Sequence, residues 1–163
     1  MTMVSYRELV RNCLSQVKEI MPWDLVVRMK ENPDLLIVDV REPYEFEAMH
    51  IRDSINVPRG ILESASEWDY EDTVPVLVQA RMREIVVVCR SGNRSALAVQ
   101  SMQLLGYEHA SSLRTGLRGW NDYEEPLWSS AGALVDEGEA DEYFTVKLRP
   151  EQKAPRPDQK DLK

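Results

Sequence analysis

Cysteine and histidine are scarce in this chain, with two of each among 163 residues. Cys13 and Cys89 are distant from His50 and His109 along the chain, so the ligand spacing of a structural zinc site is absent. No second cysteine lies near Cys89, which excludes a C-x-x-C redox motif. Because the chain is long enough to form a core and shows no secretion signal, we expect two reduced thiols and no bound metal.

Long apolar runs and excess positive charge are also missing. No stretch approaches the ~18 to 20 unbroken apolar residues of a transmembrane helix. Residues 1–10 include Arg7 and Glu8 and lack the apolar run of a secretory signal, so we expect a cytoplasmic protein. The net charge of -8 argues against nucleic acid and anionic membranes as partners.

The residues that are present favour one domain of alternating strands and helices. The apolar fraction of 43% is enough for a core. The continuous apolar runs 35–40 and 84–88 are typical of strands buried on both faces of a parallel sheet. Shorter strands are predicted at 17–20, 54–57 and 110–113, and helices at 5–17, 22–30, 43–49, 94–105 and 117–123. The segment 59–83 allows one or two helices, with Pro75 starting the second. The pattern predicts an α/β fold, an open, mainly parallel sheet of about five strands with helices on both faces.

Three regions are expected along the chain. We expect residues 1–33 to form a helical extension and lead-in, residues 34–128 to form the core of the domain, and residues 129–163 to form an acidic extension and a disordered tail. The acidic segment 136–142 is interpreted as solvated surface, and prolines among charges from about Arg149 onward predict the disorder.

The segment 86–95 has the sequence most typical of an active site. An apolar strand ends at Cys89, a short polar loop follows, and a helix then begins. Ligands of open α/β sheets bind beyond the carboxyl ends of the strands. Arg90, Arg94, the loop N–H groups and the helix N-terminus all favour a thiolate at Cys89, while Gly92 lets the loop turn. The same loop suits an oxyanion such as thiosulfate.

The alternative interpretation is that Cys89 is a buried core thiol. That interpretation fits Cys13 well, because Cys13 lies on the apolar face of the first predicted helix. It fits Cys89 poorly, because a polar, doubly basic loop follows directly.

The length of this loop bears on the reaction. Cysteine phosphatases use a C-x5-R loop, usually with histidine before the cysteine, whereas Arg94 gives C-x4-R and Val88 precedes Cys89. Ser95 stands at the position of the phosphatase arginine, and no aspartate general acid is evident. The shorter loop has less room for a phosphate group but accommodates a single sulfur atom, so it favours sulfur transfer.

Five motifs follow one another within residues 35–127. They are Leu36-Ile-Val-Asp-Val-Arg-Glu42, the block Tyr44 to Ile51 with Asn56-Val-Pro58, the six-residue loop Cys89-Arg-Ser-Gly-Asn-Arg94, Leu105-Gly-Tyr107, and Gly116-Leu-Arg-Gly-Trp120. In this order they resemble the single-domain rhodanese (thiosulfate sulfurtransferase) family. The resemblance covers more than half of the chain and implies the rhodanese-like α/β fold.

The resemblance also implies a mechanism and a set of site residues. Cys89 would be the nucleophile and would carry sulfur as a persulfide between a donor, thiosulfate or a low-molecular-weight persulfide such as glutathione persulfide, and an acceptor thiol, cyanide or acceptor protein. No cofactor is implied. Asp39 would support the site, by pairing with a loop arginine or in a structural ion pair with Arg41, and His50 and Trp120 would be structural. The implied substrate- or persulfide-binding residues are Arg90, Ser91, Gly92, Asn93, Arg94 and Arg41.

Departures from the family pattern leave alternatives open. Met49, Asp53 and Ser54 replace the usual glycines and alanine of the second block, which predicts a changed loop. The insertion 59–83 is a candidate pocket wall or partner surface. A sulfur-carrier or partner-binding module with little turnover, and a cysteine phosphatase or arsenate reductase on the same fold, remain alternatives to a sulfurtransferase.

Overall fold

A computed structural model describes residues 2–155 of the chain. The first helix begins after Ser5, whose hydroxyl accepts a hydrogen bond from the Glu8 N–H while the Glu8 carboxylate accepts from the Ser5 N–H. The helices are α1 (Tyr6–Leu14), α2 (Pro22–Glu31), α3 (Pro43–Ala48), α4 (Leu62–Ala65), α5 (Pro75–Val78), α6 (Asn93–Leu104), α7 (Gly116–Asp122) and α8 (Glu137–Phe144).

The strands form one parallel sheet. They are β1 (Glu19–Ile20), β2 (Leu36–Asp39), β3 (Ile55–Asn56), β4 (Ile85–Val88) and β5 (Ala110–Leu113), in the spatial order β1-β5-β4-β2-β3. All four neighbouring pairs are parallel. Strand β4 therefore lies at the centre of the sheet, with β2 and β5 on its two sides.

Helices cover both faces of the sheet, as the alternation of strands and helices predicts. Along β4, Ile85 and Val87 join a core cluster with residues of α1, α4, α5 and α6. Val86 and Val88 join a second cluster with residues of α2, α7 and α8 on the opposite face. Continuous apolar strands are required because neither face is open to solvent. The prediction of an α/β fold with a mainly parallel sheet of about five strands is confirmed.

The segment 59–83 contributes to the core. A 3₁₀ turn at 59–61 leads into α4, and Pro75 starts α5 as predicted. Leu62, Ala65 and Leu77 are fully buried in the cluster that also contains residues of α6. Tyr107 spans the same interface, where its hydroxyl donates to the Leu77 carbonyl over 2.9 Å.

The region after residue 128 contains a helix, α8, that the sequence analysis does not predict. Helix α8 is capped by Asp136, and its acidic side chains are exposed whereas Ala140 and Phe144 are buried. The interpretation of segment 136–142 as solvated surface therefore agrees with its exposed acidic side chains but is wrong for Ala140. The disorder predicted from Arg149 does not extend to a 3₁₀ turn at 150–152, and residues 156–163 lie outside the described residues. None of the helices within residues 2–155 has the length and the apolar composition that a membrane span requires.

Candidate active site

Cys89 lies directly after β4, at the carboxyl end of the central strand. Pairing with the neighbouring strand β2 continues as far as Val88, the last residue of β4, since the Val40 N–H donates to the Val88 carbonyl over 3.0 Å. Only 1% of the Cys89 surface is exposed. The thiol is therefore held in the position where open α/β sheets place their reacting groups, below the surface of the molecule.

Two backbone N–H groups point at the sulfur of Cys89. The Gly92 nitrogen lies 3.1 Å and the Ser95 nitrogen 3.3 Å from Sγ. The Ser95 hydroxyl is also 3.3 Å from Sγ, and it lies 2.7 Å from the hydroxyl of Ser112 on β5. Both serines are fully buried. The sulfur thus sits among fixed donors that stabilise negative charge, at the N-terminus of α6.

Two glycines allow this loop to close. Gly92 has a φ of +92°, a left-handed conformation that costs glycine nothing. Gly116, with a φ of +62°, packs so closely that a Cβ there would lie 2.5 Å from the carbonyl carbon of Arg90. This close approach of Gly116 to Arg90 lets α7 donate hydrogen bonds to the loop. The Leu117 N–H donates to the Cys89 carbonyl over 2.8 Å, and the Arg118 N–H donates to the Arg90 carbonyl over 3.0 Å. The N-terminus of α7 therefore fixes the loop backbone.

Arg94 is paired with Glu45 on α3, a residue that sequence reasoning missed. Its two terminal nitrogens donate to the two carboxylate oxygens over 2.8 and 2.9 Å. These bonds raise the pKa of Arg94. Burial acts to raise the pKa of Glu45, but hydrogen bonds from Arg94 and the Glu42 N–H lower it overall. Glu45 lies in the second family motif, and this position in the motif was the only sequence signal that it belongs to the site.

Arg90 is also engaged by protein groups. Its Nη1 donates to the Tyr143 carbonyl over 3.2 Å, and Nη2 donates to the Thr145 carbonyl over 3.4 Å. With Arg94 bound to Glu45, both loop arginines that were predicted to bind the donor already have partners. The groups nearest the sulfur that favour an anion are the backbone N–H groups.

Of the two alternatives for Asp39, the structure has the ion pair with Arg41 and not a pair with a loop arginine. The Arg41 Nε lies 3.0 Å from Oδ1 and Nη2 lies 2.7 Å from Oδ2 of Asp39, and both side chains are fully buried. Nη2 also donates to the Met49 carbonyl over 2.7 Å, which ties the end of β2 to the residue after α3. Nη1 of Arg41 is buried with no partner among residues 2–155, so a substrate contact by Arg41 stays a prediction that depends on this nitrogen.

The other candidate residues are placed as follows. Ser91 is exposed on the loop, and Asn93 begins α6. His50 stacks on Phe46, with ring centroids 3.9 Å apart, and its Nδ1 lies 2.7 Å from the Phe46 carbonyl. Trp120 is buried and donates to the Pro126 carbonyl over 3.0 Å. Both rings therefore have structural partners, as the resemblance implies.

Cys13 is the second free thiol and is separate from the loop. It is 2% exposed, and its Sγ donates to the Ala96 carbonyl over 3.2 Å. Burial raises the pKa of Cys13, which disfavours its reactive thiolate form. Within the described range 2–155, no three histidine, cysteine, aspartate or glutamate side chains form a group that could hold a metal ion.

Comparisons with known proteins identify the family. Residues 23–123 match the family described as "Rhodanese-like domain". The "Adenylyltransferase and sulfurtransferase uba4" of Aspergillus niger is 31% identical over 139 residues, covering 72% of this chain and 29% of that protein. The "Putative sulfur carrier protein YrkF" of Bacillus subtilis is 30% identical over 112 residues, covering 68% of this chain and 55% of that protein. The chain thus spans less than a third of one relative and about half of the other.

A solved structure extends the likeness to most of the fold. A protein of unknown function from Rhodopseudomonas palustris, described as a possible tyrosine phosphatase, superposes with a TM-score of 0.70 at 25% identity. The superposition covers 78% of this chain and 96% of that protein. The description of that protein as a possible tyrosine phosphatase is relevant to the alternative, raised by the sequence, of a phosphatase on the same fold.

Proposed function

The chain belongs to the rhodanese-like domain family, and from this membership we propose that it is a sulfurtransferase that carries sulfur as a persulfide on Cys89. The observation that carries the proposal is the pair of backbone N–H groups, from Gly92 and Ser95, that point at the Cys89 sulfur at the end of β4. A C-x4-R loop, one residue shorter than the phosphatase loop, supports sulfur over phosphate as the group bound.

The proposed reaction has two steps. The Cys89 thiolate attacks the outer sulfur of thiosulfate or of a low-molecular-weight persulfide; the donor's sulfur–sulfur bond breaks, and sulfite or a thiolate leaves with the bonding electrons. A thiol or cyanide acceptor then attacks the outer sulfur of the Cys89 persulfide, and the Cys89 thiolate leaves. The covalent intermediate divides one transfer into two easier displacements. Neither step requires a metal or an organic cofactor.

Each step needs negative charge on sulfur, and the loop supplies its stabilisation. The N–H groups of Gly92 and Ser95 do not reorganise when the charge appears, because the N-terminus of α7 and the start of α6 fix the backbone. The Ser95 hydroxyl, hydrogen-bonded to Ser112, accepts from the thiol and donates to the thiolate. Arg94 contributes a positive charge that Glu45 largely offsets.

The experiment is intact-protein mass spectrometry after incubation with thiosulfate or, separately, with glutathione persulfide. We expect the unmodified chain and the matched control Cys13→Ala to gain one sulfur atom, and cyanide to remove it. Cys89→Ser should gain none. Absence of the added sulfur with both donors, in a protein that remains folded by circular dichroism, would refute the proposal.

A sulfur carrier that delivers to one acceptor protein is the second candidate. It is favoured by the relative named as a putative sulfur carrier protein. A carrier would gain sulfur on Cys89 as readily as a sulfurtransferase but would form thiocyanate from cyanide slowly. Steady-state thiocyanate formation compared with the rate of persulfide formation separates the two candidates.

The third candidate is a cysteine phosphatase or arsenate reductase on the same fold, which the structural neighbour's description keeps open. Ser95 occupies the sequence position of the phosphatase arginine and is directed at the Cys89 sulfur. We therefore expect no hydrolysis of a small aryl phosphate. Hydrolysis that disappears in Cys89→Ser would support the phosphatase candidate.

A further inference from the structure

Ser112 of β5 lies on the same face of the sheet as the sulfur of Cys89. In the register of β4 and β5, Ser112 is opposite Val87, which precedes Cys89 by two residues. Val87 and Cys89 belong to the same core cluster, on the face that α6 covers, because side chains two residues apart point to the same side. On its other side Ser112 pairs with Glu19 of β1, so its backbone is fixed between two strands.

Ser112 brings a hydroxyl group into the interior of the protein. The residue is fully buried, and a buried hydroxyl costs free energy unless it has a hydrogen-bond partner. The partner is the hydroxyl of Ser95 on α6, 2.7 Å away, and Ser95 is itself fully buried. The Ser95 oxygen in turn lies 3.3 Å from the Cys89 sulfur. The two hydroxyls therefore form a hydrogen-bonded chain that ends at the nucleophile.

The direction of this chain depends on the protonation state of Cys89. A hydroxyl donates one hydrogen bond, and either oxygen of the serine pair can be the donor. When Cys89 is a thiol, its S–H donates to the Ser95 oxygen and the Ser95 hydroxyl donates to Ser112. When the thiol proton has passed to a base in solution, both hydroxyls rotate. Ser112 then donates to Ser95, and Ser95 donates to the thiolate.

The thiolate gains more from this chain than the thiol does. In the thiol arrangement every bond of the chain joins neutral groups, whereas in the thiolate arrangement the bond from Ser95 has a charged acceptor and is stronger. Donation from Ser112 polarises the Ser95 hydroxyl and strengthens that bond further. We propose that Ser112 is a positioning residue that acts through Ser95, because it directs the Ser95 hydroxyl at the sulfur and favours the reactive thiolate of Cys89. The relevance to sulfur transfer rests on the proposed function, whereas the effect on the thiolate does not.

The pH profile of alkylation tests this role without any sulfur transfer. The rate constant for Cys89 with iodoacetamide is measured by peptide mass spectrometry over a range of pH, and the thiolate is the form that reacts. Ser112→Ala should lower the rate constant about threefold on the rising part of the profile, which moves the midpoint to higher pH by about half a unit. The plateau at high pH should not fall. A lowered plateau with an unmoved midpoint is the signature of a merely structural role and would overturn the proposal.

Ser111→Ala is the matched control for this measurement. Ser111 is a buried serine on the same strand, and its side chain points to the opposite face of the sheet from that of Ser112. The substitution therefore removes a buried hydroxyl from β5 without touching the chain that leads to Cys89. The midpoint should stay at its wild-type value in Ser111→Ala, and a shift equal to that of Ser112→Ala would count against the proposed chain.

Two substitutions of similar size keep the test decisive if alanine disturbs the packing. Ser112→Thr adds a methyl group and keeps the hydroxyl, whereas Ser112→Val has nearly the same shape and lacks the hydroxyl. The threonine variant should keep a midpoint close to that of the wild type, and the valine variant should show the shift expected for alanine. Circular dichroism and the urea midpoint establish that each variant is folded. Equal pH midpoints in the folded threonine and valine variants would refute a role for the hydroxyl.

A double-mutant cycle tests whether Ser112 acts through Ser95. Ser95→Ala removes the intermediate hydroxyl but keeps the backbone N–H that points at the sulfur. In that background Ser112→Ala should leave the midpoint where it is, because the hydroxyl that donates to the sulfur is already absent. If Ser112→Ala shifts the midpoint by the same amount with and without the Ser95 hydroxyl, the two serines act independently and the proposal fails.

Persulfide formation separates this proposal from the proposed function. Near neutral pH, Ser112→Ala should form the Cys89 persulfide from thiosulfate about threefold more slowly than the wild type. If the alkylation midpoint shifts but neither thiosulfate nor glutathione persulfide loads Cys89, the positioning role stands and sulfur transfer fails. If both donors load Cys89 and the midpoint stays constant, sulfur transfer stands and the role of Ser112 is refuted.

Discussion

Replacing Asp39 with alanine leaves the Arg41 guanidinium in the protein interior with the Met49 carbonyl as its remaining partner. The ion pair is fully buried, and the arginine donates to the carboxylate through both Nε and Nη2. Hydrogen bonds to charged groups contribute about 1.5 to 3 kcal/mol each. Two such bonds agree with the roughly 3 to 5 kcal/mol lost when one partner of a buried pair is removed. We therefore expect Asp39→Ala to lower the free energy of unfolding by about 4 kcal/mol.

Urea unfolding followed by circular dichroism measures this loss. With an m-value of about 2 kcal/mol/M, the midpoint should fall by roughly 2 M. The double variant with Arg41→Met should be more stable than Asp39→Ala alone, because it leaves no unpaired buried charge. Glu142→Ala, which removes an exposed pair with Lys147, is the control and should leave the midpoint in place. A loss below about 1 kcal/mol in Asp39→Ala would refute the assignment of this pair as a structural tie.

Three further predictions concern the loop and its supports. Cys89 should be alkylated by iodoacetamide at least about tenfold faster than Cys13, whose pKa is raised by burial, and equal rates would contradict an activated sulfur. The pKa of Glu45 is lowered from its ordinary value of 4.5, so its ion pair stabilises the protein above that pH and is lost as the pH falls below it. Glu45→Gln should therefore flatten the acid side of the profile of unfolding free energy against pH, and an unaltered profile would argue against the pair. Gly116→Ala should cost roughly 1 to 3 kcal/mol in the same unfolding assay, because its Cβ would meet the loop backbone. Gly60→Ala, with nothing within 4 Å, should cost little, and equal losses in the two variants would contradict this explanation.

The sheet could be predicted because each of its central strands is a continuous apolar run in the sequence. The apolar runs 35–40 and 84–88 contain β2 and β4, which have no polar face since helices cover both sides. The edge strands β1 and β3 are only two residues long, so their ends could not be defined from side-chain alternation. The order of the strands depends on pairing between distant segments, which local patterns do not encode.

The candidate site was predictable at Cys89 and Gly92 but not in its ion pairs. Glu45 and Arg94 are 49 residues apart, and nothing local to either indicates the other as its partner. Residues 137–144 have the acidic composition of a solvated helix, and only Ala140 and Phe144, four residues apart, are buried. Two apolar positions give too weak a periodic pattern to predict that a helix docks on the loop.

The central place of β4 has a consequence for hydrogen exchange. Its residues Ile85–Val88 are fully buried, and the strand is flanked by β2 and β5. Deuterium reaches such amides only when the sheet itself opens, whereas terminal helices such as α1 and α8 exchange through smaller openings. Because Cys89 follows β4 without a linker, we expect its backbone to be held by the slowest-exchanging strand of the sheet. We therefore expect the backbone of Cys89 to keep its position when the surrounding helices open locally.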